Sequence, residues 1–402
     1  MSTGTVMMDT VNTGPRRISI FGSTGSIGCN TLDVITHLGG RDAYSVAAIS
    51  GRDNIDLLAK QARDCSAELA VTADESRYAD LKDALWGSGT AVAAGPSALI
   101  EAADRNVDCI MAGIVGMAGL APTLAAARHG ADIALANKEC LVSAGDLFKR
   151  AVEAAGGRLL PVDSEHNAIL QVFDANQRHS IERVILTASG GPFRLLSLEE
   201  MQSVSPSRAA AHPNWDMGLK ISIDSASMFN KALEMIEAVH LFELRPDQIE
   251  VIIHPQSIIH SMVGYSDGSL LAQLGPPDMR TAICYALSYP RRPVLPVERL
   301  DFARLARLDF QAPDEARFPS LRLARRAIEG GGQLGAVLNG AKEIALEAFI
   351  DGRIGFLDMA AIVEDVMDRM GPGTPATDIE AIYDIDRTAR AYAAERIADA
   401  IH

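Results

Sequence analysis

The sequence predicts an α/β protein in three parts: a helix-covered parallel sheet over 16–163, a central α+β part over 164–288 and a C-terminal helical bundle over 319–402. Three observations carry this. Apolar, strand-length runs alternate with amphipathic helical stretches up to residue 163, which is the signature of βαβ units. The rhythm then changes, and two apolar runs joined by a short polar turn imply antiparallel strands. From about Pro319 the pattern is helical to the end, broken at Gly330–Gly332 and Gly371–Pro375. A chain of 402 residues is also too long for one core.

Taken in order, the opening MSTGTVMMDTVNTGP is polar, poor in basic residues and without an apolar stretch. It predicts a disordered leader over 1–15 rather than a targeting peptide. The first sheet draws on RRISIFG, YSVAAIS, ELAVT, TAVAAG, DCIMAGI, DIALAN and RLLPVD. Within it, CIMAGIVGMAGLAPTLAAA (109–127) is uncharged and of membrane-spanning length. Its glycines, Pro122 and alanines suit a buried strand, a turn and a helix start better, so no membrane span is expected. After Asp163 come the strand ERVILTASGG, a Ser-, Pro- and His-bearing loop (197–214), ISIDSAS, a helix from about Met228 to Glu243, and the strand QIEVIIHPQS. SIIHSMVGYSDGSLLAQLG predicts a hairpin turning at Ser266-Asp267-Gly268. The proline-rich stretch beginning YPRRPVLPVERLDF predicts a linker over 289–318, followed by three or four helices.

The net charge of -15 disfavours nucleic acid and anionic membranes as partners. An anionic ligand must then be met by a local cluster of donors. Cys29, Cys65, Cys109, Cys140 and Cys284 are dispersed without metal spacing, which predicts reduced thiols and a cytoplasmic protein.

The first strand runs into Gly22-Ser-Thr-Gly25-Ser-Ile-Gly28 and then a helix. Glycines at a strand-to-helix turn let backbone approach a pyrophosphate, and the helix N-terminus supplies N–H donors, as in a Rossmann-like domain. The second strand ends in Ser50-Gly51-Arg52-Asp53-Asn54 rather than in a lone acid. A hydroxyl, a guanidinium and an amide suit a 2′-phosphate, which points to NADP(H).

Asp163 and Glu165 follow an apolar strand, where i and i+2 face the same side. Open α/β sheets place ligands at that carboxyl end. Glu234, with Asn230 on the same helical face, offers a third carboxylate. Two readings stand: a hard-cation site for Mg²⁺ or Mn²⁺, or a helix cap with ion pairs to Lys138 or Lys231. Ser189, Ser225, Asn230 and Lys231 are donors fit for a phosphate. His254 and His260 are expected to be structural, and His166 to lie behind the carboxylates.

GSTGSIG, LANKE (135–139), PVDSEHNAI, SGGPF, HPNWDMG with ISIDSASMFNKALE, and HPQSIIHSMV together resemble the 1-deoxy-D-xylulose 5-phosphate reductoisomerase family, in that family's order as far as about Arg280. The resemblance implies NADPH-dependent, metal-assisted rearrangement and reduction of 1-deoxy-D-xylulose 5-phosphate to 2-C-methyl-D-erythritol 4-phosphate, and a homodimer. It implies Asp163, Glu165 and Glu234 as metal ligands, and Lys138, Glu165, Glu234 and His212 as the catalytic set. Lys138, Ser164 and Asn230 would meet the sugar oxygens; Ser189, Ser225, Asn230 and Lys231 would hold its phosphate, with His212 close by. Thr24, Gly25, Ser26, Ile27, Gly51, Arg52, Asn54, Asn137, Glu139 and Gly218 would bind NADPH. Asp53 departs from the family pattern and leaves open whether it or Asn54 takes the asparagine's place. The loop Ala211–Gly218 is expected to be a lid, with Trp215 covering the substrate; a structural anchor is the alternative. An NADP-dependent semialdehyde dehydrogenase would want a nucleophilic Cys in a turn, and a non-catalytic NADP(H) sensor would not need the carboxylates.

Overall fold

The computed structural model describes residues 14–211, 215 and 218–401. Most of the expected leader therefore lies outside the described residues. The first sheet comprises β1 (Arg16–Phe21), β2 (Tyr44–Gly51), β3 (Leu69–Thr72), β4 (Ala91–Ala94), β5 (Cys109–Ala112), β6 (Asp132–Leu135) and β7 (Leu159–Pro161). Its order is β4-β3-β2-β1-β5-β6-β7, with every neighbouring pair parallel. Both faces are covered, which is why these strands are continuous apolar runs rather than alternating ones. One face packs Val34, Ile35 and Leu58 against the sheet, and the other packs Leu99, Leu124 and Phe148. Strand order reverses between β1 and β5, which opens a crevice at the carboxyl ends of the strands. The uncharged stretch 109–127 resolves into β5 and a helix Leu120–Ala127. Among the described residues, no helix is long and apolar enough to cross a membrane.

The second sheet comprises β8 (Ile181–Ala188), β9 (Ile249–Ile253), β10 (Ile259–Tyr265) and β11 (Leu270–Leu274), in the order β11-β10-β8-β9. The hairpin β10–β11 and the pair β10–β8 are antiparallel, but β8 and β9 are parallel. The sheet is thus mixed rather than purely antiparallel. Long connections permit this, because parallel neighbours need a crossover, and helices Leu219–Ala226 and Phe229–Phe242 lie between β8 and β9. Gly268 closes the hairpin at φ 87, a conformation that glycine adopts without steric cost.

Helices Ser320–Gly330, Leu334–Ile350, Asp358–Met370 and Ile379–Ile401 follow. They share one core with the second sheet: Val184 and Leu186 belong to the same cluster as Phe229, Leu338, Phe349 and Ile397. Helix Met279–Ser288, by contrast, sends Ile283 and Leu287 into the core of the first sheet.

Candidate active site

β7 stops at Pro161, and Asp163 (φ −50, ψ 137) is the N-cap of helix Ser164–Val172. Its Oδ1 accepts from the backbone N–H groups of Glu165 at 3.1 Å and His166 at 3.3 Å. Asp163 and Glu165 therefore converge because a helix begins between them, not by strand alternation. A helix start leaves N–H groups that need an acceptor, and a carboxylate supplies one. Glu234 reaches the same point from helix Phe229–Phe242 and is fully buried. The three residues each offer a carboxylate oxygen, and these lie within 4.8 Å of one another. The capping reading and the cluster reading thus hold together.

Two ammonium groups, Lys231 buried and Lys138 half-buried, balance the cluster. Lys138, at the start of helix Lys138–Ala155, contacts Asp163 and lies 3.5 Å from Glu234 Oε1. Lys231 lies 3.1 Å from Glu165 and contacts Glu234, which Asn230 also contacts. Burial, then repulsion from Asp163 and Glu165, pushes the Glu234 carboxyl up to about 7. Burial works against ionised Asp163 too, but Lys138 and His166 hold its pKa well below the usual range.

Behind the carboxylates, His166 Nε2 lies 2.9 Å from the Glu234 carbonyl oxygen and Nδ1 lies 3.3 Å from Asp163 Oδ1. It ties the two ligand-bearing helices together. Nδ1 also lies 3.6 Å from Glu237 Oε2, and burial pushes the Glu237 carboxyl up to about 7. Glu237 was not singled out from the sequence. Its one signal there is the i+3 spacing from Glu234, which puts both on one helix face.

Ser164, Ser189, Ser225, Asn230, Lys231 and Trp215 line the same cleft as the carboxylates, and Ser26, Ile27 and Gly218 form part of its wall. Asn30, Met228, Ser257 and Met279 also line it, without a site role assigned from the sequence. His212 lies outside the described residues, as does most of the loop expected to be a lid. The Trp215 ring centroid is 6.2 Å from that of His260. His254 has both ring nitrogens engaged, Nδ1 at 2.9 Å from the Asp309 carbonyl and Nε2 accepting from Ile258 N–H at 3.2 Å.

On the cofactor side, Thr24 and Gly25 sit in the turn after β1. A Cβ on Gly28 would come within 2.3 Å of Ser23 Cα, so the turn requires glycine there. Gly25 caps helix Ser26–His37 without a side-chain hydrogen bond, so no capping side chain occupies its first N–H groups. At the tip of β2, one expectation is corrected. Ser50 is buried, and its Oγ accepts from Gly22 N–H at 3.0 Å. It braces the glycine turn instead of facing outward to a phosphate. Arg52 is exposed beside Gly51, with Nε 3.7 Å from Asp53 Oδ1. Asn54 caps helix Ile55–Cys65, accepting from Leu57 N–H at 3.1 Å, which leaves its NH₂ group available. Asn137 caps Lys138–Ala155 and donates to the carbonyls of Ile114 and Gly116. Glu139 sits in that helix's first turn, and burial raises its pKa.

Family models described as 1-deoxy-D-xylulose 5-phosphate reductoisomerase match residues 18–145, and those of its C-terminal domains match 159–242 and 274–392. A relative of that name from Rhizobium etli is 70% identical over 388 residues, covering 96% of this chain and 98% of the relative. One from Sinorhizobium fredii is 72% identical over 379 residues, covering 94% and 97%. The reductoisomerase of Zymomonas mobilis in complex with NADPH superposes with a TM-score of 0.91 at 52% identity, covering 95% of this chain and 99% of that one. A further reductoisomerase structure, with NADPH, fosmidomycin and magnesium, gives 0.90 at 42% identity, covering 95% and 98%.

Proposed function

The chain belongs to the 1-deoxy-D-xylulose 5-phosphate reductoisomerase family, and from that premise we propose how its residues divide the work. The protein is an NADPH- and divalent-metal-dependent reductoisomerase that converts 1-deoxy-D-xylulose 5-phosphate to 2-C-methyl-D-erythritol 4-phosphate. The observation that carries the assignment of roles is the convergence of three carboxylates, two lysines and several hydroxyls in one cleft beside the N-terminus of helix Ser26–His37. The donor set fits the metal: three clustered carboxylates and no thiolate suit Mg²⁺ or Mn²⁺. It also fits NADPH, since an N-terminus with no side-chain cap offers N–H groups to a pyrophosphate.

Asp163, Glu165 and Glu234 would hold the ion. When bound, the metal supplies Lewis-acid polarisation of the substrate oxygens and NADPH supplies the hydride. Lys138 Nζ and Ser164 Oγ would donate to sugar oxygens, and their contacts with Asp163 and Glu165 keep them on the cleft wall. Ser189, Ser225, Asn230 and Lys231 would hold the phosphate with hydroxyl, amide and ammonium donors, with His212 close by. Lys231 would supply positive charge to the phosphate in a protein of net charge -15. We propose Lys138, Glu165, Glu234 and His212 as the catalytic set, within functional units at 16–163, 164–288 and 319–402. NADPH oxidation in the presence of the deoxyxylulose phosphate, with and without divalent metal, tests the whole; turnover indifferent to metal would overturn it.

Thr24, Gly25, Ser26, Ile27, Gly51, Asn137, Glu139 and Gly218 would line the cofactor's path, and Arg52 with the Asn54 amide would take its 2′-phosphate. Asp53, paired with Arg52, is an acceptor and cannot donate there. Arg52→Ala should raise the KM for NADPH by roughly 10- to 100-fold, as expected of a charge-assisted hydrogen bond, while leaving any NADH activity unchanged. Equal losses with both cofactors would remove Arg52 from that role.

We propose that Trp215 shields the substrate's carbon chain from water, as closing loops do. Trp215→Ala should lower kcat/KM by on the order of 10²-fold with a small change in melting temperature. A large fall in melting temperature with catalysis per folded molecule intact would make Trp215 a packing residue.

We further read the protein as a cytoplasmic homodimer. Its cysteines are free, and β11 is an edge strand with Leu270 and Leu271 exposed, an apolar edge that a second copy would cover. Sedimentation at micromolar concentration checks the dimer.

A further inference from the structure

Lys342 lies 3% exposed in helix Leu334–Ile350, within the C-terminal bundle. Buried lysines need a reason, because desolvating an ammonium is costly unless it is paired. Its partner is remote in sequence: Nζ donates at 2.9 Å to Oδ2 of Asp224, itself buried. Asp224 belongs to helix Leu219–Ala226, which begins at Gly218 and carries Ser225 as its next residue. One ammonium therefore pairs with one buried carboxylate, adjacent in sequence to a residue lining the cleft.

The lysine is itself fixed in place. Its neighbour Glu343 contacts Arg390 of helix Ile379–Ile401, and Arg390 Nε donates at 2.7 Å to Asp386. A second pair, Lys220 to Glu347 at 2.7 Å, joins the same two helices at the surface.

We infer that Lys342 is a positioning residue: from the C-terminal bundle it holds Asp224, and through it the phosphate-binding end of the cleft at Ser225. The inference rests on the role given above to Ser225. Without the ammonium, the Asp224 carboxylate is left buried and uncompensated. Truncating one partner of a buried charge pair is costly because the other stays unpaired.

The test is Lys342→Met, read by the KM for the sugar phosphate, by kcat and by melting temperature. That KM should rise about tenfold, with kcat at saturation changing far less; Lys342→Arg should restore it. In Lys342→Met/Asp224→Asn the Asp224 charge is also removed, so the melting temperature should recover while the KM stays raised, because residue 224 is no longer held by an ion pair. That double variant carries the test if the single one does not fold. A lowered melting temperature with unchanged KM, or a double variant that regains a normal KM, would overturn the inference. Ser225→Ala separates the layers: a normal KM there removes Ser225 from the phosphate site and overturns both readings. A raised KM there beside a normal one in Lys342→Met overturns only the role of Lys342.

Discussion

Glu234→Gln should lower kcat/KM at limiting Mg²⁺ by on the order of 10²-fold or more, the scale expected when a metal centre loses a ligand or its support. Glutamine keeps the size of the side chain and can still meet Lys231 and Asn230, so the change isolates one negative charge among three. In the wild-type protein the Glu234 carboxyl titrates at about 7, above the usual carboxylate range. A group whose folded pKa is raised favours folding when protonated, so that contribution is lost as pH rises through about 7. A bound cation takes the proton's place. Magnesium affinity of the wild-type protein should therefore increase with pH across this window. Glu237 titrates in the same range, so part of the dependence should persist in Glu234→Gln, and the part due to Glu234 should vanish. Calorimetric titration of Mg²⁺ at pH 6 and pH 8 reads both effects. Near-normal turnover of the variant at limiting metal would take Glu234 out of the ligand set.

Lys231→Met should also cost on the order of 10²-fold or more in kcat/KM, because it removes the ammonium that would meet the sugar's phosphate. Lys231 is 3% exposed and sits between Glu165 and Glu234. Methionine fills a similar volume without the charge. The loss should fall on the KM for the sugar phosphate, with the KM for NADPH nearly unchanged. Residual turnover of the unphosphorylated sugar gives the control: a loss as large there would show that Lys231 serves the carboxylates alone.

The sheet strands were legible because a strand buried on both faces has an unbroken apolar centre, as VAAI in YSVAAIS and IALA in DIALAN show. The carboxylate cluster was legible too, though for a reason the structure replaces: Asp163 points into the site as a helix cap, and a cap is set by backbone geometry that follows the strand. Ser50 looked like a ligand-facing hydroxyl because its orientation depends on Gly22 N–H, 28 residues away. Glu237 was legible only through its spacing from Glu234, and Lys342 not at all. A buried charge is recognisable only beside its partner, and Lys342 lies 118 residues from Asp224. Sequence patterns record spacing within an element, while these contacts arise between elements.

The return of helix Met279–Ser288 to the first sheet has a mechanical meaning. The polypeptide leaves that core after Val162, comes back at Ile283, and departs again toward the bundle, whose last helix sends Ile382 back into the first sheet's other face. The halves of the cleft are stitched together at several points instead of hanging from one tether. Such stitching resists free swivelling of one half against the other. The carboxylates and the glycine turn are thereby kept in nearly fixed alignment before any ligand arrives, so little translational freedom is left to be lost when the reactants meet.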